Sequence, residues 1–243
     1  MAESSESPLT SPQSSNNGGE RQDNILGPSL LDVMRKIGLS TLSATYYSRS
    51  SLVARLHEST AGQDCTKRIQ EFIVSTLQKL QCDASGIVLV QDSAVCIVFE
   101  SSSDDFTSFC SELRQLSILT DVRVLATCDD NEQRLMQSLY FKKISVSKPI
   151  DESDEVQVIQ DIFCNLVSLM RRLGSMPAAN IKKALANPSN SDLMLMPSNE
   201  ALLFLAKCDA LMTLDEYHDN YAAPTFVELE PERVWPIHPL FTY

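Results

Sequence analysis

Apolar positions crowd most densely into Gly86 to Phe99, GIVLVQDSAVCIVF, where the runs 87–90 and 95–99 flank a polar Gln91-Asp92-Ser93-Ala94 link. Short runs rich in β-branched residues, joined by turn-compatible ones, predict a β-hairpin. Nearly every position in both runs is apolar, which fits central strands covered on both faces. The link lacks the glycine of a type I′ turn, so its geometry stays open.

On either side the apolar period lengthens to that of a helix. Ile69, Phe72, Ile73, Thr76, Leu77 and Leu80 mark a helix over Cys65 to Leu80. Ser51 to Leu56 reads as a strand before it. After the hairpin, Ser101-Ser102-Ser103-Asp104-Asp105 is a helix start, because serine and aspartate oxygens accept from unpaired backbone N–H groups. That helix runs to about Gln115 and buries Phe106, Phe109, Cys110, Leu113 and Leu116. Val122 to Ala126 is a fourth strand. The order β-α-β-β-α-β predicts an α+β, ferredoxin-like domain: an antiparallel sheet with two helices on one face.

Asn131 to Leu139 reads as a short helical turn, and Lys142 to Val146 as an edge strand whose lysines discourage further pairing. Glu155 to Leu173 carries the longest helical pattern. Its apolar face is wide enough to cover the other side of the sheet or to meet a partner helix. Arg171-Arg172 lies in its last turn, where cations favour the helix dipole, and Gly174 ends it. Shorter helices follow at Ile181 to Ala186 and Asn199 to Met212.

The two ends differ in character. Residues 1–24 are Ser-rich with few apolar side chains, so burial cannot offset their ordering entropy and disorder is expected. A short helix from Ser29 to Gly38 and a linker make up 25–49, with Tyr46 and Tyr47 read as packing residues. The ferredoxin-like domain is placed at 50–148, and a helical extension at 149–223. From 224 to 243 the chain is extended, PTFVELEPERVWPIHPLFTY, because four prolines in twenty residues forbid a helix. Its apolar side chains must pack on their own domain or dock elsewhere, and Phe226, Trp235, Ile237 and Phe241 are the candidate partner-binding residues.

Net charge of -12 and pI near 4.7 argue against nucleic acid or an anionic membrane as the main partner. Seven scattered cysteines with no CxxC spacing read as reduced thiols, several of them in the core. Three distant histidines support no metal site, and the acidic pairs Asp104-Asp105, Asp129-Asp130 and Asp151-Glu152 read as caps and solvated turns. Cys82 and Cys96 lack a neighbouring cation to activate them. Gly86 is the one glycine between Gly62 and Gly174, so phosphate-loop and dinucleotide fingerprints are absent. The N-terminus has neither a basic n-region nor an apolar h-region, and a soluble intracellular protein without a catalytic constellation is expected.

Ser51-Leu-Val-Ala-Arg55, a helix, Ala84-Ser-Gly-Ile-Val-Leu-Val90 and Val98-Phe-Glu-Ser101 together resemble the BLUF family, which binds FAD and senses blue light on a ferredoxin-like fold. The resemblance covers about residues 50–146. Ser85-Gly86 stands where that family has Thr-Gly, and Glu100 where it has a strand-ending Glu. Leu52 stands at the photoactive Tyr, Ile97 at the flavin-contacting Gln, and Gln78 or Lys79 at the helix Asn. Leucine and isoleucine supply neither the redox partner nor the switching amide, so the resemblance implies a lost photocycle and no cofactor. The alternative is an FAD-binding sensor in which Tyr46, Tyr47 or Tyr140 replaces the missing contacts. The run at 100–104 and Val234-Trp235-Pro236 are further similar to a testis-expressed, BLUF-like family. That likeness implies a structural, non-enzymatic component of the ciliary or sperm flagellar axoneme, with axonemal proteins as partners.

Overall fold

The computed structural model describes residues 46–57, 64–149 and 154–222, together with Val33. The expected elements at 1–24 and 29–38, the pair Asp151-Glu152 and the candidate residues Phe226, Trp235, Ile237 and Phe241 lie outside them. All elements below fall in the unit Thr45–Tyr243.

Strand β1 (Tyr47–Leu56) begins four residues before the apolar pattern alone suggests. Helix α1 (Cys65–Leu80) follows, opened by the Asp64 side chain accepting from Lys67 N–H and closed by left-handed Gln81. Strands β2 (Ser85–Val90) and β3 (Ala94–Ser101) form the hairpin and are buried at every position. Helix α2 (Ser103–Leu113) starts where the serine-aspartate run predicts: Ser102 accepts from Asp105 N–H, and Asp104 and Asp105 face the positive end of the helix dipole. Strand β4 (Leu119–Asn131) extends well beyond the predicted segment. The four strands stand in the order β2-β3-β1-β4, each antiparallel to its neighbour, which is the ferredoxin-like arrangement.

Strand β5 (Leu139–Lys143) adds a parallel edge beside β2, shifted toward the N-terminus from the expected position. The helical turn expected at 131–139 does not form. Leu135 and Met136 give their N–H groups to the Glu100 carboxylate, which removes them from any helical ladder.

Helix α3 (Glu155–Gly174) covers the second face of the sheet, with Ile162, Leu166, Leu169, Met170 and Leu173 packed on Val53, Ile87, Leu89, Cys96 and Val98. Arg172 does more than meet the dipole. It binds Ser191 and also Ser189 and Asp192, the capping box of a short helix that the sequence pattern misses. Helices α4 (Ala178–Ala186), α5 (Asn190–Leu195) and α6 (Asn199–Lys207) complete this layer. The chain then passes the β4 edge as β6 (Met212–Thr213) and ends its described part in α7 (Leu214–Tyr221), also unpredicted. Leu214 and Tyr217 of α7 join the opposite core with α1 and α2. The result is a six-stranded sheet between two helical layers, which explains the unbroken apolar runs of β2 and β3.

Gln91 at the hairpin tip is buried and bonded at both ends of its amide, donating to Pro197 O at 2.7 Å and accepting from Val146 N–H at 3.2 Å. Ser93 N–H donates to Asn199 Oδ1 beside it. The C-terminal helical layer therefore clamps the hairpin tip through the Pro197 and Asn199 bonds, and the segment after β5 adds the Val146 bond.

Candidate functional site

Two places carry the residues singled out by sequence. The first is the space between the sheet and helices α1 and α2. Leu52 and Ile97 are direct partners across β1 and β3, and both are buried. Around them Ile69 and Ile73 come from α1, Phe99 from β3, and Phe106 and Phe109 from α2. Phe99 and Phe109 stack with ring centroids 4.6 Å apart, and Phe106 meets Phe99 at 6.1 Å and Tyr217 edge-on at 5.5 Å. Phenyl rings thus fill this side of the sheet, and neither Leu52 nor Ile97 brings a polar atom to it. Gln78 does not reach this interior: it is exposed on the outer side of α1. Lys79 is engaged with Glu112 of α2 at 2.8 Å. Of the tyrosines named as substitutes, Tyr46 is exposed, Tyr47 lies under the Arg134 guanidinium at 4.5 Å, and Tyr140 is buried in the opposite core.

The second place is the end of β3. The Glu100 side chain is 1% exposed and accepts from Arg49 Nε at 2.8 Å, Ser85 Oγ at 3.3 Å, Leu135 N–H at 3.0 Å and Met136 N–H at 2.9 Å. Arg49 also donates to Asn131 Oδ1 at 3.0 Å. One carboxylate therefore ties β1, β2, β3 and the loop before β5 together. The loop is pinned from its other side too, because a Cβ on Gly174 would sit 1.8 Å from Leu135 O. Sequence reasoning finds Glu100 but misses Arg49, Asn131 and Gln91. An arginine beside serines in a strand with no acidic neighbour is the one available signal for Arg49.

Gln78 lines a third feature, a groove of 410 Å³ between α1 and edge strand β5, with Gln70, Val74, Leu77, Leu139 and Phe141. Among the described residues no group of three His, Cys, Asp or Glu side chains converges, and no helix is long and apolar enough to cross a membrane.

Cysteine chemistry follows burial. Desolvation pushes the Cys96 thiol up to about 12, and burial next to the Asp105 carboxylate does the same for Cys82. Burial also raises Cys110, whereas Cys128 and Cys164 are exposed. Because the thiolate is the nucleophile, iodoacetamide on the native protein near neutral pH is expected to label Cys128 and Cys164 more than about a hundredfold faster than Cys96 and Cys110. Peptide mass spectrometry over a labelling time course checks this, and equal rates would contradict the packing.

A family model described as testis-expressed protein 47 matches residues 47–223. No curated protein sequence matches significantly. Among solved structures, the chain is similar to Klebsiella pneumoniae BlrP1 in a manganese and cyclic-diGMP complex, at 16% identity over 40% of this chain and 24% of that one, TM-score 0.34. It is also similar to the structure titled BlrP1 BLUF, at 15% identity over 40% of this chain and 64% of that one, TM-score 0.34. For BlsA in its ground state the values are 11%, 63%, 95% and 0.35. The chain thus spans about a quarter of BlrP1 and under two thirds of its BLUF structure. Likenesses at this level speak to neither ligand nor activity.

Proposed function

The chain belongs to the testis-expressed protein 47 family, and from that premise we propose that it is a non-enzymatic structural component of the sperm flagellar or ciliary axoneme, an interaction module that uses neither flavin nor light. The observation that carries the reading is the filled interior. Where the resemblance expects a tyrosine and a glutamine, Leu52 and Ile97 lie side by side under a stack of phenylalanines. An isoalloxazine ring set among these groups would lose its hydrogen bonds to water without replacement, at roughly 2–7 kcal/mol for each buried polar group left unpaired. Entry would also require displacing Phe99, Phe106 and Phe109 from a packed core. The family's testis expression supports the cellular setting, and the sequence offers no constellation for catalysis.

Two measurements test this. The protein purified from its native source is expected to be colourless and to show no spectral change under blue light; flavin absorbance co-eluting with the folded chain overturns the cofactor part. Cross-linking mass spectrometry on washed sperm axonemes is expected to link the chain to axonemal proteins. Recovery only in the detergent-soluble fraction overturns the location.

A further inference from the structure

We propose that the open edge of β5 and the groove beside it receive residues Thr225–Glu230 of a second copy of this chain as an added β-strand. The pairing does not depend on the axonemal reading, since it concerns copies of this chain alone.

Among the described residues β5 ends the sheet, with β2 on its inner side, and its outer groups stand in a defined phase. Gly86 N–H donates to Ser138 O and Ile144 N–H to Val90 O. In a parallel ladder alternate residues face the neighbouring strand, so 138, 140, 142 and 144 face β2. Leu139, Phe141 and Lys143 therefore turn their N–H and C=O groups outward, a template for another strand.

Side chains on the two faces of β5 set what that strand must carry. Leu139 and Phe141 pack toward α1 and α2, where the groove also presents Leu77 and the 38% exposed Val74. Tyr140 and Ile144 belong to the opposite core. Lys142 shares that face and, among the described residues, makes a long 3.5 Å contact with Ala186 O. A complementary strand places apolar residues over the groove and acidic residues, in alternation, beside Lys142.

The chain contains one such segment. Thr225-Phe-Val-Glu-Leu-Glu230 lies between Pro224 and Pro231, outside the described residues, and every one of its six residues has a backbone N–H. In a strand Val227 and Leu229 share one face, and Glu228 and Glu230 share the other with Phe226. Val227 and Leu229 over the groove put the two glutamates beside Lys142, so one register satisfies both faces.

Reach decides between the chain's own segment and a neighbour's. Helix α7 ends at Tyr221, packed over α2 and lining a cavity with Ser103, Thr127 and Asp129. Strand β5 lies four strand spacings from β4, about 19 Å at the usual spacing. Three residue steps from Ala222 to Thr225 span at most about 10 Å. The segment must come from another copy.

Sedimentation of the full chain over a concentration series is the test. Reversible self-association is expected, weakened more than about tenfold by Lys142→Glu, which places like charges together. A Glu228→Lys, Glu230→Lys copy should associate equally poorly alone. Mixing these two variants should restore association, which a misfolded protein could not do. A synthetic peptide of residues 224–231 is expected to inhibit wild-type association. A monomer at every concentration overturns the proposal, as does association indifferent to both variants, or a mixture that fails to recover.

Discussion

Gly86→Ala is expected to cost more stability than any other single-methyl addition to the sheet. Gly86 has φ +138°, a backbone conformation that side chains with a Cβ rarely adopt, and a Cβ there would sit 2.0 Å from Val98 O. The obstacle is backbone of the adjacent strand, so no rotamer change relieves it. Strain of this kind costs roughly 1–3 kcal/mol. Forcing β2 away from β3 adds roughly 1–3 kcal/mol for an overpacked core. Both strands are fully buried, and β2 also carries β5 and part of each helical layer. Thermal unfolding followed by circular dichroism should show the midpoint falling by about 2–4 °C for each kcal/mol. An unchanged midpoint would mean that β2 and β3 do not approach as described.

Arg49→Ala is expected to destabilise the protein by roughly 3–5 kcal/mol, because it leaves the Glu100 carboxylate buried without its cation. The effect reaches beyond the ion pair. Glu100 also holds the N–H groups of Leu135 and Met136, so the loop leading into β5 loses an anchor when the carboxylate is disturbed. The double variant Arg49→Met, Glu100→Gln is expected to be less damaged than the sum of its single changes. Glutamine keeps one oxygen for Met136 N–H and leaves no buried charge, and methionine fills the arginine stem's space. Urea denaturation of the four proteins in the cycle measures the coupling. A coupling near zero would show that the pair does not act as a unit.

The ferredoxin-like succession was legible because its elements are written in local patterns. Period-free apolar runs mark β2 and β3, a 3.6-residue stripe marks α1 and α3, and a serine-aspartate run marks the start of α2. Helices α5 and α7 escaped because each is held by its ends and neighbours rather than by a long stripe. Ser189 with Asp192, and Thr213 with Glu216, form capping boxes on helices of six and eight residues. Their apolar faces are too short to register as a period. Strand β1 was read too short because its opening residues Ser48, Arg49 and Ser50 are polar, although the fold buries all three. Arg49 goes in with Glu100, and the Ser48 and Ser50 hydroxyls bond to each other.

The sequence by itself determined the βαββαβ succession and the long helix after it, that both faces of the hairpin are covered, and that Leu52 and Ile97 offer no hydrogen bonds. These follow from side-chain chemistry and spacing along one element, which neighbours in space do not alter. Only the tertiary structure decided where Gln78 points, which cation answers Glu100, and that Gln91 belongs to the C-terminal helices. It also placed β5 parallel to β2 as the last strand on that side among the described residues. Each of these depends on groups more than fifty residues apart, such as Arg49 with Glu100, Gln91 with Val146 and Pro197, and Gly86 with Ser138. A buried polar group must find a partner somewhere, but only the folded chain says which one is within 3 Å or so.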